Sequence, residues 1–216
     1  MGNNTLTTDV NNFLSIYPSY SYHERPEKKY SIIEGEIDIC DVNGSFWGSF
    51  DIKILINKDK YPYDSPIVCE TSTKIKRDIG WHIDDEGTCC LDIHHRLEYD
   101  ANKGINITVF YQEKIYPFFA NAIYRKIYGK YANGEYRHGF GGVKQFYKET
   151  LNLTEVHVII NTLNSIINNR TPRRNDPCLC GSKNKFKYCH LDSFNFLKNL
   201  PINTIKKDLE KFKHLI

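Results

Sequence analysis

The 216-residue chain carries no run approaching the roughly 20 apolar residues of a membrane span. Its first residues, Met1-Gly2-Asn3-Asn4-Thr5-Leu6, lack the apolar core of a secretion signal, and Leu6 stands where a myristoylation signal needs Ser or Thr. Net charge is small, +3 with a pI near 8.4, too little to imply nucleic acid unless it is concentrated somewhere. There is no internal repeat, no low-complexity tract and none of the glycine-rich phosphate loops that a nucleotide-using enzyme carries. These absences point to a cytoplasmic protein without a nucleotide site. The seven cysteines are odd in number and uneven in placement, unlike a secreted disulfide framework. Metal binding and nucleophilic chemistry in a reducing compartment are the readings that remain.

What is present is a folded-protein composition, 40% hydrophobic and 25% charged, enough for one well-filled domain and something smaller. Thr7-Thr8-Asp9 ahead of Val10, Phe13 and Leu14 predicts an N-capped short helix ending before Pro18. Residues 19–29 read as a loop or irregular strand. From Tyr30 to Ile39, Ile33, Gly35, Ile37 and Ile39 alternate with Glu34, Glu36 and Asp38, the period of a half-buried strand. Asp41-Val42-Asn43-Gly44 supplies a turn, Phe46 to Ile56 alternates again, and the two predict an antiparallel hairpin. Tyr61-Pro62-Tyr63-Asp64-Ser65-Pro66 is a rigid crossing loop before a further strand, Ile67–Glu70.

Beyond Ile93 the chain turns polar from His94 to Lys103. Helical spacing returns over Val109–Tyr128, where Pro117 is expected to end or kink the segment and an aromatic stripe reads as core. Residues 129–142, glycine-rich, read as a loop. Val143–Leu151 and Thr154–Asn168 read as two helices, and residues 170–176 as a basic linker. The predicted layout is a body over 1–170, a small module over 171–192 and a helical tail over 193–216, the last with an amphipathic helix over Thr204–Leu215.

Cys178, Cys180, Cys189 and His190 put three thiols and an imidazole within thirteen residues. Four such ligands can close a tetrahedron around Zn2+, leave no position for water, and so predict a structural metal site, unfolded without its ion. The residues Asn175-Asp176-Pro177-Cys178-x-Cys180-Gly181-Ser182, Lys185-x-Lys187 and Cys189-His190 resemble the SEC-C motif, a small zinc module first noted at the end of the bacterial translocation ATPase. The resemblance implies an interaction patch. Arg173, Arg174, Lys183, Lys185 and Lys187 form its basic surface, suited to an acidic protein partner in preference to nucleic acid or a membrane.

The other chemical candidate is Trp81-His82-Ile83-Asp84-Asp85-Glu86-Gly87-Thr88-Cys89-Cys90-Leu91-Asp92-Ile93, a histidine followed seven residues on by a cysteine. Spacing alone leaves a buried core thiol as the ordinary alternative, since cysteine is among the most often buried residues. The order helix, three- or four-stranded antiparallel meander, Tyr-Pro-x-x-x-Pro loop, His-x7-Cys-Leu and helices resembles the ubiquitin-conjugating enzymes. That resemblance implies an α+β fold and a thioester-forming nucleophile at Cys90, with Cys89 in the apolar position before it. Eukaryotic members carry an asparagine eight residues upstream of the cysteine; here that position holds His82. An imidazole there, in His-x4-Gly-x2-Cys-Leu, resembles a bacterial branch serving antiphage (antiviral defense) operons of the cyclic-oligonucleotide type (CBASS). Such members are similar to transferases that conjugate the C-terminus of the operon's nucleotidyltransferase (CD-NTase) to a target. The resemblance extends to Gly134-Glu135-Tyr136-Arg137-His138-Gly139.

Implied roles follow. Cys90 is the nucleophile, His82 an oxyanion donor or base, and the thioester comes from a carrier protein, supplied by a separate activating enzyme or without one. A catalytically inactive binding scaffold of the same fold and a cysteine hydrolase using His82 or His138 are the rival expectations. Asp92, His94 and His95, just past the nucleophile, are placed to tune the attacking amine's pKa, but each reads first as a solvated loop residue.

Overall fold

The computed structural model describes residues 2–24, 27–132 and 134–216. It is of mixed α+β class, with a four-stranded antiparallel sheet in the order β1-β2-β3-β4. The chain divides into two compact units, residues 1–92 with 100–135 and residues 93–99 with 136–216. All three boundaries fall inside the stretch 1–170 that the sequence groups as one body.

In the first unit, α1 (Gly2–Ile16) precedes β1 (Ser21–His23), β2 (Tyr30–Cys40), β3 (Phe46–Asn57) and β4 (Ile67–Glu70). The alternation read from sequence is the observed one: Ile33, Ile37 and Ile39 of β2 and Phe50, Ile52, Ile54 and Ile56 of β3 are buried. Phe46, expected on the same inner face, is exposed, because the ladder slips between Ile39 and Cys40 at the hairpin end. The turn closes through Asp41, whose Oδ1 accepts the N–H groups of Asn43 and Ser45 at 2.8 Å each.

Helix α1 starts before the expected cap, so Thr7, Thr8 and Asp9 lie within it. Asp9 serves tertiary structure instead: it accepts hydrogen bonds from Tyr61 Oη at 2.6 Å and Asn106 Nδ2 at 3.1 Å. After α3 (Ile107–Phe110) one π-helical turn, Tyr111–Ile115, leads into α4 (Tyr116–Tyr128). Pro117 therefore neither ends nor breaks the helix. It sits in the first turn of α4, where a missing N–H costs nothing, immediately after the wider turn.

The segment His94–Lys103, polar in sequence, is a helix, α2. Its early residues belong to the second unit and its last four to the first. The second unit continues with α5 (Phe140–Glu149), α6 (Val156–Ile167), α7 (Leu191–Lys198) and α8 (Ile202–Lys213). Phe140 to Gly142, assigned to a loop on their glycines, are the first turn of α5. Gly142 is there for a close approach, since a Cβ would meet Arg137 O at 2.0 Å. One core joins Phe146 and Tyr147 of α5, Ile159 and Leu163 of α6, Cys178, Phe186, Phe194 and Leu197, and Ile205 and Phe212 of α8. The cysteine knuckle is thus packed into this core, with Phe186 fully buried.

His95 and His94 are helical, which corrects the solvated-loop expectation. His95 is buried, stacked on Phe146 with centroids 5.1 Å apart, and its Nε2 lies 2.6 Å from Asp208 Oδ2. Tyr147 Oη donates to the same oxygen at 2.8 Å. An aspartate buried on α8 is tolerated because two partners replace its water. No described helix is long and apolar enough to cross a membrane.

Candidate functional site

Two groups of cysteines stand out, one in each unit. In the first unit, the backbone from Asp78 to Cys90 is a succession of tight turns tied to the end of β4. Cys89 N–H donates to Val68 O at 2.7 Å, Glu70 N–H to Gly87 O at 2.8 Å, and Cys90 N–H to His82 O at 2.8 Å. Asp84 Oδ1 gathers the N–H groups of Glu86 and Thr88 and turns the chain back. Gly87, at φ +88°, must be glycine: a Cβ would lie 2.5 Å from Glu70 O. Beneath it, the fully buried Glu70 carboxylate is ion-paired with Arg77 and bonded to Ser72 Oγ, and Arg77 Nη2 also donates to Glu70 O at 2.7 Å. A buried carboxylate with these partners fixes the floor of the loop.

The adjacent thiols face different surroundings. Cys89 is buried, its Sγ 3.7 Å from Gly87 O, and burial pushes its thiol far up. Cys90 is an exposed residue, with Sγ 3.8 Å from Asp92 O. Burial of its sulfur raises that thiol too, and the charge of Asp92 adds to the rise. Among the described residues no cationic group or imidazole is bonded to Cys90 Sγ, so in this state the thiol is not activated. Asp92 is itself held by Lys114 at 2.7 Å, and Lys114 also reaches Asp100 at 3.2 Å. Burial works to lower the Lys114 ammonium, but Asp92 and then Asp100 outweigh it and hold it above the usual lysine range.

His82 takes a left-handed conformation, φ 56°, ending the short turn Ile79–Trp81. Its carbonyl holds the Cys90 N–H, and its ring Nε2 lies 2.9 Å from Glu135 Oε2. The structure thus ties the two residues singled out in the sequence, His82 and Cys90, through the backbone. Sequence reasoning names Glu135 only within the later Gly-Glu-Tyr-Arg-His-Gly stretch and misses the pairing. His138, exposed, belongs to the second unit.

The turn before His82 is braced by a group the sequence does not announce. The Arg125 guanidinium sits 4.3 Å from the Trp81 ring and 4.7 Å from the Tyr131 ring, and donates to Gly80 O and, at 2.9 Å, to Tyr131 Oη. Tyr131 Oη donates to the same carbonyl at 3.1 Å. The only prior signal was an arginine on an otherwise aromatic helix.

In the second unit, Cys178, Cys180, Cys189 and His190 converge as expected, their ligating atoms all within 4.8 Å of one another. Cys178 Sγ and Cys189 Sγ each lie 3.2 Å from His190 Nδ1, and Cys180 Sγ lies 3.5 Å from Cys189 Sγ. A tetrahedral zinc with sulfur at about 2.3 Å and nitrogen at about 2.0 Å has edges of roughly 3.5 to 3.8 Å, so these spacings suit it. The tautomer suits it as well: His190 Nε2–H donates to Asn152 O at 2.9 Å, which leaves Nδ1 unprotonated toward the thiols. Gly181 at φ +77° and the Cys178–Asn184 backbone bond of 2.9 Å fold the knuckle back on itself. Burial opposes the Cys180 thiolate, but the hydrogen bonds of Ser182, Cys189 and Cys178 together outweigh it and bring that thiol down to about 6, while burial pushes Cys178 up to about 11. A low thiol in a Cys3His set is what a cation-binding site offers.

No curated protein and no solved structure matches the chain. Residues 174–192 match the SEC-C motif, and the four converging ligands lie inside that match.

Proposed function

We propose that the protein is a bacterial ubiquitin-conjugating-like transferase that carries the C-terminus of a protein as a thioester on Cys90 and passes it to an acceptor amine. The observation carrying this reading is the pair Cys89 and Cys90 on one clamped loop: one sulfur buried, the next on an exposed residue immediately before Leu91-Asp92. In the first step the Cys90 thiolate attacks the carrier's thioester carbonyl and the carrier's thiolate leaves. In the second an amine attacks the Cys90 thioester, Cys90 leaves as thiolate, an amide forms, and the amine proton goes to a base. His82 is the candidate for that base. A carboxylate on its Nε2 orients the ring and stabilises the imidazolium formed when a proton is taken. The protein whose C-terminus is carried, following the family resemblance, is the nucleotidyltransferase of an antiphage operon, and the thioester donor whose thiolate leaves is a separate activating enzyme.

The second unit's four ligands would hold Zn2+ as a structural ion, which supplies cross-linking of the knuckle and no reaction chemistry. Arg173, Arg174, Lys183 and Lys185, exposed, and Lys187, half-buried, fit the basic patch of a protein-interaction module.

One observation favours a second reading, a scaffold of the same fold without catalysis: the Cys90 thiol is raised and has no bonded base. Intact mass spectrometry of the protein purified with its operon neighbours separates the readings. A mass increase on Cys90 that hydroxylamine removes, and that Cys90→Ser converts into a more stable oxyester, supports transfer. No adduct in either form supports the scaffold, and cleavage of a neighbour without a persistent conjugate supports a cysteine hydrolase.

A further inference from the structure

The first unit contains a second feature with recognisable chemistry, at the outer edge of its sheet. Strand β1 is three residues long and pairs only with Ile32, Ile33 and Glu34. Strand β2 runs six residues further, to Cys40. Backbone groups alternate along an antiparallel strand, so every second residue turns its N–H and C=O outward. The outward set is fixed at both ends of the uncovered stretch. Ser21 Oγ on β1 donates to Glu34 O at 3.3 Å, and at the far end Tyr116 Oη accepts from Cys40 N at 3.1 Å and donates to Cys40 O at 3.2 Å. The tyrosine hydroxyl there does for Cys40 what a neighbouring strand would do. Glu36 and Asp38 lie between, in the same outward register, and among the described residues no strand or loop backbone pairs with them on this side.

This edge opens on a cleft of about 370 Å³ lined by Tyr17, Tyr20, Tyr111 and Tyr116 together with Glu36 and Asp38. The lining is built: Tyr20 Oη and Tyr111 Oη are 3.1 Å apart, Gln112 Nε2 donates to Tyr17 Oη at 3.1 Å, and the Tyr17 and Tyr111 rings lie 4.6 Å between centroids. Burial first, then the neighbouring phenol and the charge of Asp38, hold Tyr20 far above the ordinary tyrosine range; Tyr111, chiefly by burial, is pushed up to about 12. Tyr20 and Tyr111 therefore stay neutral, and the charged side chains of the lining are its two exposed carboxylates. Electron-rich ring faces beside carboxylates attract a cation, and unpaired strand groups attract an extended backbone.

We propose that the outer edge of β2 at Glu36 and Asp38 docks an extended segment of a partner protein carrying lysine or arginine, which adds as a short strand and lays its cationic side chain in the tyrosine cleft. An acidic segment is repelled by the two carboxylates, and a purely apolar one leaves them unpaired. The site involves neither Cys90 nor the zinc ligands, so it stands apart from the transferase reading.

The test is a ¹⁵N–¹H NMR titration of the full chain with the blocked pentapeptide acetyl-Val-Lys-Val-Lys-Val-amide. Saturable shifts and slowed exchange at the Glu36 and Asp38 amides are expected. The variant Glu36→Gln/Asp38→Asn, both exposed positions, should weaken binding roughly threefold to tenfold, the range of one or two exposed ion pairs. The same peptide with glutamate for lysine, and the lysine peptide N-methylated at every backbone amide, should not saturate. Absence of saturable shifts with the lysine peptide overturns the proposal and leaves the carboxylates as guards against edge-to-edge pairing. Equal binding of the glutamate peptide overturns the cation preference, and equal binding of the N-methylated peptide or of butylammonium overturns strand addition.

Discussion

The two cysteine sites solve opposite problems with the same atom. Around Cys178, Cys180 and Cys189 the sulfurs face one another and an imidazole, and the backbone turns so as to bring them together. Around Cys89 and Cys90 the two thiols sit apart from any metal-like set among the described residues, Cys89 buried in the core and Cys90 on an exposed residue, and the turns are held by a buried Glu70–Arg77 pair and by strand-end hydrogen bonds. Four donors in a closed set leave no room for a substrate, which makes the first a cross-link. A single thiol on an exposed residue of a braced loop has no closed set of partners around it among the described residues, which is what a carrier site requires. The same residue type therefore reads as structure where its ligands are mutual and as a chemical candidate where it stands alone on a rigid loop.

The comparison breaks most readily at the metal. Structural zinc contributes on the order of 10 kcal/mol of apparent binding free energy to modules of this size. Cys189→Ser, or a chelator at neutral pH, is expected to abolish stoichiometric zinc in elemental analysis and to release the Cys178, Phe186 and Cys189 amides to fast hydrogen exchange. Because Phe186 and Cys178 share a core with α5 to α8, the exchange of Leu163 and Phe194 should rise as well. The Cys89 and Cys90 amides, whose bonds go to Val68 and His82, provide the internal reference. Retained protection at Phe186 without metal would make the cluster an ornament on a self-sufficient core.

A second, smaller effect separates the adjacent thiols. Cys89→Ser buries a hydroxyl where a sulfur now fills an apolar site, at a cost of about 1–3 kcal/mol in urea unfolding. Cys90→Ser should change stability by no more than about 0.5 kcal/mol, as an exposed substitution does. Equal costs would mean that the two sulfurs are not divided between core and surface.

The brace under His82 sharpens the contrast with the metal site, where the ion replaces such a brace. Arg125→Ala removes two ring contacts and the bonds to Gly80 O and Tyr131, and should cost about 1 kcal/mol and speed exchange at the Trp81 and His82 amides. Arg125→Lys keeps the charge but not the planar fork, and should recover less than half of that loss. Full recovery by lysine would reduce the contact to simple charge.

Much of this architecture is legible in the sequence, for identifiable reasons. The β2–β3 hairpin shows because burial of one sheet face imposes period two on Ile33, Ile37, Ile52 and Ile54, and α6 because its apolar residues keep helical spacing. The metal ligands show because a short knuckle must supply its donors within a few residues. What stays hidden is long-range or unpatterned. Helix α2 buries little beyond His95 and Ala101, so its sequence reads as polar loop. The first turn of α5 hides because Gly142, normally a helix breaker, is needed where Arg137 O approaches. The pairs His82–Glu135 and Lys114–Asp92 join residues 53 and 22 positions apart, and no local period encodes them. Site residues were therefore readable as motifs, whereas the partners that orient them were not.

The smallest expected effect concerns the chemistry of Cys90 itself. The thiolate is the reactive form, and both burial and the Asp92 charge raise this thiol above its ordinary value, so the thiolate fraction falls at any given pH. Alkylation of Cys90 by iodoacetamide, followed by peptide mapping, should still be rising at pH 9 with no plateau, while the three zinc-held sulfurs of the second unit stay unmodified. Asp92→Asn removes the lesser of the two causes and should move the Cys90 profile to lower pH. The direction matters more than the size. A profile that shifts downward shows a thiol restrained by its own loop, which a carrier or acceptor must activate on docking. A plateau below pH 8 in the unmodified protein would mean that the thiolate is already stabilised, and Cys90 would then resemble the metal-site cysteines more than this comparison allows.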